Sequence, residues 1–177
     1  MSSVTTDDGR NTPTSSTVFD DPRGLEDYER PGLTNLGEPP SEGRTYIIRD
    51  SEAGLVLAVE EGVLNLLSQY TEDDGRIHWR CIRHHDGWYG FRNMGSGTLI
   101  GHNRQGQFVA QATNHADWEQ FRVEHDPDGG YTLLVKRTDW FRFWLEPMVI
   151  DSNGQLVLAG ARERGTVWKF IRVDNPI

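Results

Sequence analysis

Of the 177 residues only Cys81 is a cysteine, so no disulfide can form within the chain and a disulfide-stapled secreted scaffold is excluded. Nowhere is there a run of the roughly eighteen apolar residues that a membrane-spanning helix needs. The opening MSSVTTDDGR lacks a basic start followed by an apolar stretch, so a soluble, cytoplasmic protein is expected. Positive charge is scarce as well: 18 Lys and Arg stand against 27 Asp and Glu, a formal charge of −9. No cationic cluster appears along the chain, and a nucleic-acid backbone or an anionic membrane, which both require a basic face, is not expected as partner. Missing too are a G-x-S-x-G turn, a metalloprotease helix and a phosphate-binding loop, since Gly95-Ser96-Gly97 leads into a strand pattern and not a helix. No enzyme activity and no cofactor are expected.

Apolar periodicity is absent from residues 1–43, where Val18, Phe19, Leu25 and Leu33 stand isolated among Ser, Thr, Asp, Glu, Pro and Gly. Such a segment cannot bury enough surface to offset its ordering entropy, so a disordered acidic tail is expected there. It holds nine acids and three arginines, which leaves residues 44–177 with a charge of only −3. Within it, Leu25-Glu26-Asp27-Tyr28-Glu29-Arg30 mixes apolar and acidic residues as short docking motifs do, although a solvating arm accounts for it as well.

What the remainder does have is a threefold recurrence. Tyr46, Tyr89 and Tyr131 open three stretches spaced by 43 and 42 residues, Gly62, Gly106 and Gly154 sit mid-stretch, and Trp79, Trp118 and Trp168 close them. Apolar residues alternate with a period of two, as in Tyr46 and Ile48 or Tyr131, Leu133 and Val135, and turn signals such as Asp86-Gly87, Gln105-Gly106 and Ser152-Asn153-Gly154 divide the strands. The reading is all-β, with repeats over 45–87, 88–130 and 131–173. Each unit of about four strands must bury its inner face on the other two, and closure into a barrel also removes exposed sheet edges. The three closing tryptophans are expected in the core.

These residues, and above all GWYGFRNMGSGTLIGHNRQGQFVAQATNHADWEQFRV, resemble the β-trefoils of the ricin-B-type lectin and fascin-like group, in particular their fungal intracellular members. The resemblance implies a six-stranded barrel capped by three hairpins and up to three shallow pockets, which ricin-type members use for sugars. Each pocket needs an acid to accept from hydroxyls, an aromatic face and an amide. The family's acid follows an aliphatic residue of the second strand; here Ala58 follows Leu57, Gly101 follows Ile100 and Glu146 follows Leu145, so one carboxylate is expected to survive, in the third repeat. The family's Gln two before the closing Trp is replaced by Ile77, Ala116 and Thr166.

The third repeat carries an insertion, because Gly154 lies 23 residues after Tyr131 while Gly106 lies 17 after Tyr89. Within it, Trp140, Phe141, Phe143 and Trp144 load both faces of a strand with aromatics, so either Trp140 with Trp144 or Phe141 with Phe143 is left as an exposed platform beside Glu146, or the platform is covered and purely structural. Trp140, Trp144 and Glu146 are the first candidate ligand site; His102, Asn103 and Asn114 form a second without an acid. The expected function is a non-catalytic, lectin-like saccharide-binding module, with a fascin-like protein-interaction module as the alternative. His78, His84 and His85 lack the spacing of a metal site, His84 and His85 pointing to opposite sides of an extended chain, and read as solvated turn residues. Cys81 shares a face with Trp79 and reads as a small buried hydrophobe.

Overall fold

The computed structural model describes residues 39–174 together with the short strand β1 (Leu33–Thr34). Six strands close a barrel. In the first repeat β2 (Thr45–Asp50) pairs with β5 (His78–Arg83), in the second β6 (Tyr89–Asn93) with β9 (Phe121–His125), and in the third β10 (Tyr131–Thr138) with β13 (Val167–Val173). The repeats join through β5–β6, β9–β10 and β13–β2, which closes the ring. Hairpins β3–β4 (Val56–Glu60, Val63–Leu67), β7–β8 (Leu99–His102, Phe108–Ala112) and β11–β12 (Phe143–Ile150, Leu156–Leu158) cap one end. This is the β-trefoil expected from the threefold recurrence.

Three sets of core side chains repeat with the strands. Ile48, Phe91 and Leu133 fill one layer, and Leu57, Ile100 and Met148 fill another, all with no exposure. Each opening tyrosine faces an aromatic on the fourth strand of its repeat: Tyr46 pairs with Trp79, Tyr89 with Phe121 and Tyr131 with Trp168. Trp79 and Trp168 are fully buried as expected, and the Trp79 indole N–H donates to the Leu57 carbonyl at 2.9 Å. The second closing position is occupied by Phe121, with no exposure, while Trp118 is 45% exposed. That departs from the expectation of three core tryptophans, for a local reason. Asp117–Glu119 forms a 3-10 turn equivalent to Gly75–Ile77 in the first repeat, so Trp118 takes the outward slot that Arg76 takes there. Cys81 is in the core as expected.

At the hairpin ends, Glu61 and Gly62 both have positive φ, 50° and 79°, the geometry of a two-residue turn that follows the twist of its strands. This is why the first repeat is a residue shorter between Tyr46 and Gly62. The expected acidic tail lies outside the described residues apart from Leu33–Thr34 and 39–43. Leu33 and Thr34 extend the sheet antiparallel to Val173 and Arg172; two residues can add to an open edge through backbone hydrogen bonds without any side-chain period. The Gly43 N–H also donates to the Cys81 carbonyl at 2.8 Å, so the fold reaches back beyond Arg44.

Candidate functional site

The insertion lengthens a hairpin. Arg49 pairs with Val56 and Arg92 with Leu99, enclosing residues 50–55 and 93–98, whereas Leu134 pairs with Pro147 and encloses 135–146. The β10–β11 hairpin therefore stands out beyond its two counterparts. At its tip the Asp139 carboxylate accepts from the N–H groups of Phe141 and Arg142 at 2.9 and 2.8 Å, and Trp140 and Phe141 are 96% and 98% exposed.

The same register moves the family-type acid position. With Pro147 opposite Leu134, Met148 is the partner of Leu57 and Ile100 in the core, and the residue after it is Val149. Ala58, Gly101 and Val149 thus stand at the three equivalent positions, and none is acidic. The surviving third-repeat acid expected at Glu146 is corrected: the insertion shifts the sequence alignment by three residues there. Glu146 is still engaged, accepting from the Trp144 indole N–H at 2.8 Å and lying 3.3 Å from Arg137 Nε. Trp144 is half-buried and Trp140 stands at the tip, so these two do not form one platform with Glu146.

Arg137 links this cluster to the second candidate set, its Nη1 lying 3.4 Å from His102 Nδ1. His102 is 3% exposed, and its ring stacks on Trp118 at 5.4 Å between centroids and 27° between planes. Asn103 is spent on its own turn, its oxygen accepting from the N–H groups of Gln105 and Gln107 at 3.0 Å. Its amide also donates to Gln107 Oε1 at 3.0 Å, so the side chain braces the β7–β8 turn. Asn114 is exposed and lies apart from Asn103, in a wide cleft of about 890 Å³ with His115, Asp117, Trp118 and Glu119. Next to it is a smaller pocket of about 240 Å³, lined by Trp118 with His102, Arg104, Asp117, Lys136 and Arg137. Trp118 and Asp117 border both.

An acid that sequence reasoning missed stands beside the cleft. With Phe121 in the closing position, the residue two before it is Glu119, not Ala116. Glu119 is 7% exposed; its Oε2 accepts from the Ala116 N–H at 3.2 Å, and a Cβ on Gly101 would come within 2.7 Å of its Oε1. The second repeat therefore has a carboxylate reaching from the closing strand into the space that glycine leaves open on the second strand. The signal was in the spacing: Trp118 follows Tyr89 by 29 residues, whereas Trp79 follows Tyr46 by 33.

Burial holds the Glu119 carboxyl above the usual carboxylate range, and burial holds the His102 and His115 imidazoles below theirs. Both rings are consequently neutral at physiological pH. His102 Nδ1 lies between the Asn103 carbonyl at 3.0 Å and Arg137 Nη1 at 3.4 Å. His84 is paired with Asp86 at 2.5 Å and its ring lies 4.0 Å from that of His85. The two rings do not diverge, because β5 ends at Arg83 and both histidines lie in the loop. His85 is exposed and His84 partly so, as expected of turn residues, whereas His78 is buried and meets the Glu72 carbonyl at 2.7 Å, so it is not solvated. Among the described residues no group of three His, Cys, Asp or Glu could hold a metal ion. Burial pushes the Cys81 thiol up to about 12, which leaves it inert as a nucleophile. A further cleft of about 640 Å³ beside Asp50, Ser51, Glu52 and Arg164 has no aromatic in its wall. Two of its charged groups are engaged: Asp50 accepts from the N–H groups of Glu52, Ala53 and Leu55, and Arg164 is held by Asp126 and Asp128 at 3.0 and 2.7 Å.

No protein-family model and no curated protein sequence matches this chain. Solved structures do. A ricin B-like lectin from Macrolepiota procera, in complex with lactose, is similar with a TM-score of 0.57 and 16% identity over 76% of this chain and 98% of the lectin. SeviL bound to asialo-GM1 saccharide has a TM-score of 0.56 and 14% identity over 75% and 98%. The designed threefold-symmetric protein ThreeFoil has a TM-score of 0.57 and 16% identity over 74% and 99%. At such identities the likeness is one of fold, and it agrees with the strand pairing: this is a β-trefoil protein.

Proposed function

We propose that this β-trefoil is a non-catalytic saccharide-binding module whose ligand stacks on Trp118, in the second repeat. The observation that carries the reading is that Trp118 has left the core. A half-exposed indole, backed by the His102 ring and bordered by a wide polar cleft, offers a flat apolar face for a sugar ring. Asp117 and Glu119 supply carboxylate acceptors for hydroxyls, and Asn114 an amide. Structural neighbours in complex with lactose and bound to asialo-GM1 saccharide make carbohydrate the first ligand class to test. One shallow site of this kind gives weak monovalent affinity, so strength in use comes from several sites or a partner. The test is titration of the full chain against a glycan array, followed by tryptophan fluorescence. Binding abolished in Trp118→Ala and kept in Trp140→Ala supports the reading; silence across the array from folded protein, or equal loss in both variants, overturns it.

A protein partner is the second reading, favoured by the hairpin tip. Trp140 and Phe141 are almost wholly exposed on a turn braced by Asp139, and exposed aromatics with a cation alongside, here Arg142, are typical hot-spot residues. Trp140→Ser with Phe141→Ser leaves stability within about 0.5 kcal/mol, so loss of a protein complex in that variant would be a binding effect, and glycan binding that disappears with it would assign the tip to the sugar site.

A further inference from the structure

We infer that the small pocket beside Trp118 takes an acidic substituent, a carboxylate or a sulfate, so that the saccharide bound there is an anionic one; this rests on the saccharide reading above. The observation is a local reversal of charge. The domain as a whole is acidic, yet the pocket of about 240 Å³ brings Arg104, Lys136 and Arg137 together against the single carboxylate of Asp117. Sequence gave no warning, because Arg104 belongs to the β7–β8 turn and Lys136 and Arg137 to β10, more than thirty residues away.

The partners these cations already have leave capacity for a ligand. Lys136 Nζ lies 3.8 Å from Asp117 Oδ1, 3.3 Å from Gln120 Oε1 and 5.3 Å from the Trp88 ring centroid, all long contacts that do not saturate an ammonium. Arg137 shares one edge with Glu146, whose other oxygen is occupied by the Trp144 indole. A guanidinium carries five N–H donors, so the remainder can meet an anion. Arg104 is exposed on its turn, and no ion pair or hydrogen bond engages its guanidinium among the described residues.

Geometry ties the anion to the sugar. Trp118 walls both the wide cleft and the small pocket, so a pyranose lying on the indole places a substituent at its edge over the cationic side. Arg104 discriminates against neutral ligands only weakly, whereas charge-assisted hydrogen bonds to a carboxylate or sulfate repay its ordering. Attraction at this half-open site is also screened by salt, which gives the inference its own signature.

The experiment uses the full chain on an array that holds neutral glycans beside their sialylated and their sulfated forms. Affinities of matched pairs are then measured by tryptophan fluorescence at 0.05 and 0.5 M NaCl. The expected result is about tenfold tighter binding of one acidic form than of its neutral parent at low salt, a preference that shrinks at high salt. Arg104→Gln removes most of that preference, and Lys136→Gln or Arg137→Gln reduces it. Which arm responds, sialylated or sulfated, decides between carboxylate and sulfate. Equal affinity for acidic and neutral partners overturns this inference and leaves the saccharide reading standing, as does a preference untouched by all three substitutions; no binding to any glycan overturns both. Folding of each variant is checked by its thermal midpoint, and because the three side chains are all at least partly exposed, no large loss is expected.

Discussion

Replacing Phe121 and Trp118 by alanine, one at a time, separates the residue that closes the second repeat from the one beside it. Phe121 has no exposure and packs against Phe91 and Phe108 with ring centroids 5.9 and 6.2 Å away. Truncating such a side chain loses its transfer free energy and leaves a cavity, about 3–5 kcal/mol. Trp118 is 45% exposed, so a little over half of a side chain of roughly 200 Å² is removed from water. At about 25 cal/mol per Å², reduced for surface the unfolded chain already hides, that amounts to about 2 kcal/mol. A domain of this size loses about 3–4 °C in Tm for each kcal/mol. Thermal melts followed by circular dichroism should therefore show Phe121→Ala falling by roughly 9–20 °C and Trp118→Ala by roughly 6–8 °C. Equal losses, or the reverse order, would refute the assignment of Phe121 to the closing position, and with it the equivalence of Glu119 with Ile77 and Thr166.

The burial of Glu119 predicts that Glu119→Gln stabilises the protein. The folded-state pKa is raised, so the fold favours the protonated form; the penalty develops as pH rises through the ordinary carboxylate range and is complete above the folded value. The variant should melt higher at pH 7, by about 1 kcal/mol, and the gain should vanish in acid. His102 and His115 act in the opposite sense at the other end of that window: their folded values are depressed, so stability is full above about pH 6.5, the ordinary imidazole value, and declines as pH falls below it. Melts from pH 8 to 5 in wild type and in His115→Asn should show that decline shrinking in the variant. Cys81, with no exposure and its thiol pushed up to about 12, should resist iodoacetamide at pH 8 in the native protein and react fully in urea; rapid native alkylation would contradict its place in the core.

Much of the architecture was legible in the amino-acid sequence. The recurring tyrosines, the mid-repeat glycines and the two-residue alternation define strands and turns through local sterics and hydrophobicity, and three such units have to share one core. The third-repeat insertion was legible too, because a length difference between repeats shows in spacing alone. Local pattern did not resolve the register inside that insertion. Strand alternation runs on through Phe143–Ile150, and only the pairing of Leu134 with Pro147 shows that Met148, and not Leu145, enters the core and that Glu146 leaves the family-type position.

The sequence by itself therefore determined a threefold all-β chain with its turns, its near absence of cysteine and an aromatic insertion, since these depend on neighbours along the chain. Tertiary structure alone decided which aromatic closes the second repeat, that Glu119 fills the space left by Gly101, and that Arg104 meets Lys136 and Arg137 beside Trp118. Those outcomes depend on contacts between residues far apart in the chain, where a shift of a single strand position changes which side chains face the core and which face a ligand.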